Sequence, residues 1–237
     1  MTEFPTGPIG RPWVQPVTNG PVRIAVVGIG QFAKDCVLPA ISKAEHAECT
    51  VLVTGSPSDH EYQAQRVINY ESFRAGEATD AYDAVYVTSP NHMHLEHATA
   101  AARHGKDVLC EKPMAASVEQ AREIRQRCAD SDVTLMIANR VQFKPTIRYV
   151  RRLIRGGVLG TPVHVHGGTS FKVLSRGGVE QWRLDSHAGG GALRDIGIYP
   201  LNTIRFLFDT EITPRTANRQ KTAQIDEVDA HVEFQLD

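Results

Sequence analysis

The chain has 237 residues, 41% of them hydrophobic and 22% charged, which suits one large soluble domain or two small ones. Its 26 Lys plus Arg balance 27 Asp plus Glu for a formal net charge of −1, which excludes a broad polycationic surface for nucleic acid and an extreme acidic tail. No apolar run approaches the ~20 residues that span a bilayer, residues 1–20 do not read as a secretory signal, and Cys36, Cys49, Cys110 and Cys128 show no CxxC spacing, so a cytoplasmic protein without disulfide scaffold or zinc ribbon is expected.

Residues 1–20 contain Pro5, Pro8, Pro12 and Pro16 with Gly7, Gly10 and Gly20. Such a segment cannot hold a regular ladder and reads as a flexible arm. Residues 22–27, VRIAVV, form a short β-branched run of the kind found in buried parallel strands. A glycine turn and a helix to about Lys43 follow. Further strands are expected at 49–54 (CTVLVT), 83–88 (DAVYVT), 107–110 (DVLC) and 133–138 (VTLMIA). Helices are expected at 92–104 and at 117–130, where Ser117 can cap and Glu119 enters the first turn. Strands alternating with helices predict an α/β domain over 21–140, a doubly wound parallel sheet with right-handed crossovers.

The texture changes after about residue 140. A helix is expected at 145–155, ending at Gly156-Gly157, and a strand at 162–171. Gly189-Gly190-Gly191 leads into an apolar helical segment, 192–208. Strands are expected at 215–220 and 228–236. Strands separated by long excursions predict a partial second domain over 141–237, of α+β type, with an open and largely antiparallel sheet.

Gly28-Ile29-Gly30-Gln31-Phe32-Ala33 is a G-x-G-x-x-A string. It follows a predicted strand and opens a predicted helix, the context in which this string binds dinucleotides. The first glycine allows the tight turn, the second lets backbone approach a pyrophosphate, and a small third residue lets helix pack on strand. The helix N-terminus then offers free N–H groups to an anion. Past the second strand stands Thr54-Gly55-Ser56-Pro57, with no carboxylate to contact a ribose 2′-hydroxyl, and Ser56 can donate to a 2′-phosphate. That favours NADP over NAD. No Lys or Arg follows closely; Asp59, His60 and Glu61 do, so NAD stays open.

The strand at 107–110 runs into Glu111-Lys112-Pro113. A lysine at the carboxyl end of a parallel strand faces the crevice where ligands bind. On spacing alone, an exposed Glu-Lys pair is an equally good reading. Asp195 and Tyr199 stand four apart on one predicted helix and share a face. Lys, Asp and Tyr together make a proton-transfer set; a capping Asp and a core-edge Tyr are the competing reading. His92, His94 and His97 lack a nearby Cys or carboxylate partner and do not predict a zinc site. His164 and His166 read as alternating positions on a half-exposed strand.

The pieces VRIAVVGIGQFA, DAVYVTSPNHMHLEHATAAARHGKDVLCEKPMA and QWRLDSHAGGGALRDIGIYPLN resemble the glucose–fructose oxidoreductase/inositol dehydrogenase (Gfo/Idh/MocA) family. The third looks closest to the glucose–fructose oxidoreductase and xylose dehydrogenase branch. The resemblance implies a Rossmann domain followed by an α/β domain with a large open sheet, and hydride transfer between a nicotinamide and a carbinol carbon of a sugar or polyol. It implies that Lys112 lies beside nicotinamide and reacting oxygen, that Tyr199 is the acid/base, and that Asp195 orients substrate and Lys112. Glu111 would contact the cofactor, Ser89, Pro90, Asn91 and His94 would line it, and Arg140, Trp182 and Arg183 would face it. No metal is required.

Two departures stand out. SPSDHEYQAQRVINYESF is short where the family carries a longer helix. The sequence stops at HVEFQLD, in mid-sheet by analogy, which would leave an unpaired strand edge; association of copies through the C-terminal sheet is the expected cover. The leading expectation is an NAD(P)-dependent sugar oxidoreductase. A catalytically silent dinucleotide-binding regulator, and an enzyme cycling a tightly held NADP between two sugars, are the alternatives.

Overall fold

The structure is a computed structural model that describes residues 20–57, 66–175 and 181–237. Most of the expected flexible arm and the stretch from Asp59 to Glu61 lie outside the described residues. The chain divides into two compact units, with the boundary between Ala138 and Asn139.

In the first unit, β1 (Val22–Val27), β2 (Ala47–Val53), β3 (Arg66–Ile68), β4 (Ala84–Val87), β5 (Asp107–Cys110) and β6 (Leu135–Ile137) form one sheet in the order β3-β2-β1-β4-β5-β6. Every pairing is parallel. The order reverses between β2 and β4, on either side of β1, and ligands of such sheets bind outside the carboxyl ends at that reversal. The register levels those ends: Val27 pairs with both Val53 and Val87, and Cys110 with both Val87 and Ile137. The residues that come next, Gly28, Thr54, Thr88 and Glu111, therefore stand in one row along the sheet's carboxyl edge.

The apolar runs of β1 and β2 are buried on both faces. Ala25, Val27, Val51 and Val53 face α2 (Tyr70–Ala75), α3 (His94–Arg103) and α4 (Val118–Asp130) through Phe73, Ala98, Ala101 and Ile124. Val26 and Leu52 point the other way, against Ala33, Val37 and Ile41. Those three lie on the helical stretch after the glycine turn, which begins with a π-helical segment, Ala33–Val37, and continues as α1 (Leu38–Ile41).

The structure adds two elements absent from the sequence reading, β3 and α2. Helix α2 has only six residues, too few to show a period, but its ends are marked: Asn69 accepts from the Ser72 N–H at 2.7 Å, and Gly76 closes it at φ 88. β6 is shorter than the predicted 133–138, and the first helix ends at Ile41 rather than near Lys43.

In the second unit, α5 (Pro145–Arg155) packs against α6 (Ile198–Phe208). The Arg151 guanidinium lies 4.1 Å from the Phe206 ring centroid, and Gln142 donates to the Asn202 side chain at 2.8 Å. β7 (Pro214–Gln220) and β8 (His231–Leu236) form an antiparallel pair. The strand expected at 162–171 is not formed. Residues 162–170 are exposed and have no ladder partner among the described residues, so His164 and His166 sit on irregular chain. Alternation selects a face, but a strand also needs a partner to hydrogen-bond.

Candidate active site

The nucleotide turn grows directly from β1. Gly28 has φ 97, and a Cβ there would stand 2.5 Å from both Cα and N of Ser89. Only glycine meets both demands. Its N–H donates to the Val53 carbonyl at 2.9 Å, while Thr88 Oγ1 donates to its carbonyl at 2.7 Å. The two glycines differ: a Cβ at Gly30 would meet nothing within 4 Å. Gly30, Gln31 and Phe32 are exposed, Ile29 is half-buried, and Ala33 is packed to 1% exposure. A turn with open space at the second glycine and a helix starting behind it fits a pyrophosphate. Ser56 is exposed beyond buried Thr54 and has its N–H on Thr54 Oγ1 at 3.3 Å.

Ser89 closes the row beside Gly28 and is buried, its hydroxyl 2.9 Å from His97 Nδ1. Pro90 is half-buried; Asn91 is buried and starts a short 3-10 turn into α3. His94 differs from the expected lining residue. It has no exposed surface; Nε2 stands 2.8 Å from the Ser89 carbonyl oxygen and Nδ1 2.9 Å from that of Pro113. A ring with nothing accessible cannot line a ligand, so it acts on the turns around it. Burial pushes its pKa down, against the pull of the Ser89, Pro113 and Met114 carbonyls.

The loop after β5 is held at both sides of Lys112. The Tyr86 hydroxyl donates to Glu111 Oε1 at 2.7 Å, and the Lys112 N–H donates to Glu111 Oε2 at 3.2 Å. Pro113 follows a cis bond, is buried and presents its carbonyl to His94. Lys112 itself is half-buried.

The second unit assembles another group of expected residues. Asp195 is buried on a π-helical segment, Leu193–Gly197, that leads into α6. Tyr199 follows in the first turn of α6. Arg183 donates from Nε to Asp195 Oδ2 at 2.9 Å, and its guanidinium lies 4.4 Å from the Trp182 ring centroid. The Arg140 guanidinium lies 5.9 Å from the Tyr199 ring centroid. The triple glycine brings these segments close: a Cβ on Gly190 would stand 2.5 Å from the Trp182 and Arg183 carbonyl oxygens, and one on Gly191 2.7 Å from Asp229 Oδ1. Asp229, unforeseen in the sequence, accepts from the Leu193 N–H at 2.7 Å and, by its carbonyl, from the Ala192 N–H at 2.9 Å. Among the described residues no group of three His, Cys, Asp or Glu side chains is placed to hold a metal ion, and no helix is long and apolar enough to cross a membrane.

A doubly wound sheet carrying this glycine turn defines a dinucleotide-binding oxidoreductase domain. Residues 22–139 match the oxidoreductase family with an NAD-binding Rossmann fold, Gfo/Idh/MocA, and residues 147–237 match the C-terminal domain of the same family. The chain belongs to the Gfo/Idh/MocA family. It is 41% identical to the D-xylose 1-dehydrogenase [NADP(+)] of Haloarcula marismortui, over 96% of this chain and 66% of that protein. It is 31% identical to the D-xylose 1-dehydrogenase (NADP(+)) 2 of Haloferax volcanii, over 80% of this chain and 58% of that protein. The crystal structure of the aldose-aldose oxidoreductase from Caulobacter crescentus, complexed with glycerol, is similar with a TM-score of 0.80 and 32% identity, covering 91% of this chain and 67% of the other. The chain thus spans less than two thirds of the length of both xylose dehydrogenases.

Proposed function

We propose that the protein is an NAD(P)-dependent oxidoreductase, NADP preferred, that moves hydride between the nicotinamide and a carbinol or carbonyl carbon of a sugar or polyol. The observation that carries this reading is the placement of Lys112. Its loop leaves the carboxyl edge of the same sheet that ends in the glycine turn, with Glu111 fixed on one side and Pro113 on the other. Bound nicotinamide supplies or accepts the hydride. In oxidation Tyr199 takes the proton of the substrate hydroxyl, and in reduction it returns that proton to the alkoxide. The Lys112 ammonium stabilises negative charge on the same oxygen. Asp195, held by Arg183, orients the substrate hydroxyls. Arg140, Trp182 and Arg183 serve the cofactor side, and Asn91, Ser89 and Pro90 flank its ribose.

The NADP preference rests on Thr54-Gly55-Ser56-Pro57, which offers no carboxylate to a ribose, and agrees with the names of the two xylose dehydrogenases. Dissociation constants for both cofactors test it, and tighter NAD binding overturns it. The silent-regulator alternative finds no support among these relatives. The aldose-aldose oxidoreductase likeness favours a second reading, an NADP cycled between two sugars without release; purified protein that carries nucleotide would point to it.

Absorbance at 340 nm with a panel of aldoses and polyols, D-xylose first, tests the main reading. Turnover is expected, with kcat/KM lowered about 10²–10⁴-fold in Lys112→Ala and Tyr199→Phe. Cofactor binding without turnover across the panel would falsify the oxidoreductase reading.

A further inference from the structure

Three buried groups of the first unit have no part in the reaction above: His94, His97 and Tyr86. His97 bonds the Ser89 hydroxyl and stacks on Tyr70, with ring centroids 4.8 Å apart. Tyr86 fixes Glu111. His94 alone touches both ligand-facing loops, the Ser89 carbonyl behind the nucleotide turn and the Pro113 carbonyl beside Lys112.

We propose that His94 is a positioning residue whose ring braces the nucleotide turn to the lysine loop. The geometry makes the case. Ser89 is the residue against which Gly28 is packed, so the Ser89 carbonyl moves only if the glycine turn moves. Lys112 has Glu111 held by β4 on one side and Pro113 held by α3 on the other. β4 and β5 pair only as far as Val87 and Cys110, so the ladder ends before either Ser89 or Pro113. The imidazole is the rigid link across the part of the edge that the ladder no longer controls. A flat ring with nitrogens at its two ends suits this task, because each nitrogen addresses one carbonyl and the ring fixes the distance between them.

The link deepens the oxidoreductase reading and depends on it for the turnover arm alone. Two amide variants separate its two halves. The Asn side-chain nitrogen reaches about as far as histidine Nδ1, so His94→Asn keeps the Pro113 contact and gives up Ser89. The longer Gln places its nitrogen near the position of Nε2, so His94→Gln keeps Ser89 and gives up Pro113.

The full chain is used for three readouts: the NADPH dissociation constant by fluorescence, turnover, and NMR of ¹³C-methylated lysines, with Lys112 assigned by its absence in Lys112→Arg. His94→Asn is expected to weaken NADPH about fivefold, the worth of one hydrogen bond, and to leave the Lys112 resonance in place. His94→Gln is expected to keep the NADPH affinity within about twofold, to shift or broaden the Lys112 resonance, and to lower kcat about ten- to a hundredfold, as small misplacements at a reacting centre do. Affinity and lysine signal changing together in both variants, in step with melting temperature, would mean a merely structural histidine and would overturn the brace. So would no change in either variant. If the wild-type chain binds NADPH but turns over no sugar, the oxidoreductase reading falls, while the affinity and lysine signals still decide the brace.

Discussion

Gly28 and Gly30 belong to one motif yet answer to different forces. Gly28 is demanded by the protein: its φ of 97 and the 2.5 Å approach of Ser89 leave no room for a side chain. Gly30 is surrounded by open space and is demanded only by what binds there. Gly28→Ala should therefore destabilise the fold by about 3 kcal/mol, combining left-handed strain with a backbone clash. On a chain of this size that lowers the melting temperature by roughly 10 °C. Gly30→Ala should leave the melting temperature within about 2 °C and weaken NADPH more than about tenfold, since its methyl group occupies pyrophosphate space. Thermal melts and cofactor titrations on the pair check both halves. Equal loss of stability in the two variants would contradict this division.

The helices that carry the two groups of site residues start alike. Each follows a glycine turn and opens with a π-helical segment, Ala33–Val37 in the first unit and Leu193–Gly197 in the second. Such segments recur at functional sites. In the second unit the start of the helix is held by Asp229, whose carboxylate takes the Leu193 N–H and whose Oδ1 lies 3.8 Å from the Arg219 guanidinium. Asp229→Ala should cost about 1–2 kcal/mol, and Asp229→Asn should recover most of it. Denaturation followed by Trp182 fluorescence measures the difference. Asp229 was not legible in the sequence because EVDAHVEF reads as the beginning of a strand; its use as a cap depends on a helix far earlier in the chain. The β1 run and the glycine turn were legible because a local pattern suffices for them. β1 is found at the residues that VRIAVV marked out. The strand expected at 162–171 failed for the opposite reason, since pairing is a property of two segments. His94 was recognised as a site residue but its direction was not, because motif spacing says which residues gather and not which way each ring turns.

At the scale of the molecule, acid should act through the first unit's buried histidines. The His97 pKa is lowered to about 4, first by burial; Glu96 opposes this, while His94, Arg74 and His92 add to it. His94 shifts in the same direction. An unfolded chain takes up protons near pH 6.5 that the folded chain refuses until about pH 4. Stability is thus fully present above pH 6.5 and is lost as pH falls through that window, by about 3 kcal/mol for His97. His97→Asn keeps a side-chain amide for Ser89 without a titrating ring, so its melting temperature should change less between pH 7 and pH 4.5; parallel pH profiles would sink the assignment. The row along the sheet's carboxyl edge also governs how the protein comes into being. A ribosome delivers Gly28 early, Ser89 much later and Lys112 later still. The loop that Gly28 permits is closed by Ser89, and Ser89 is placed only when β4 docks beside β1, after β2 and β3 have already been made. A nascent chain therefore offers nucleotide no foothold until more than half of the first unit has emerged, and cofactor cannot chaperone the earliest stages of its birth.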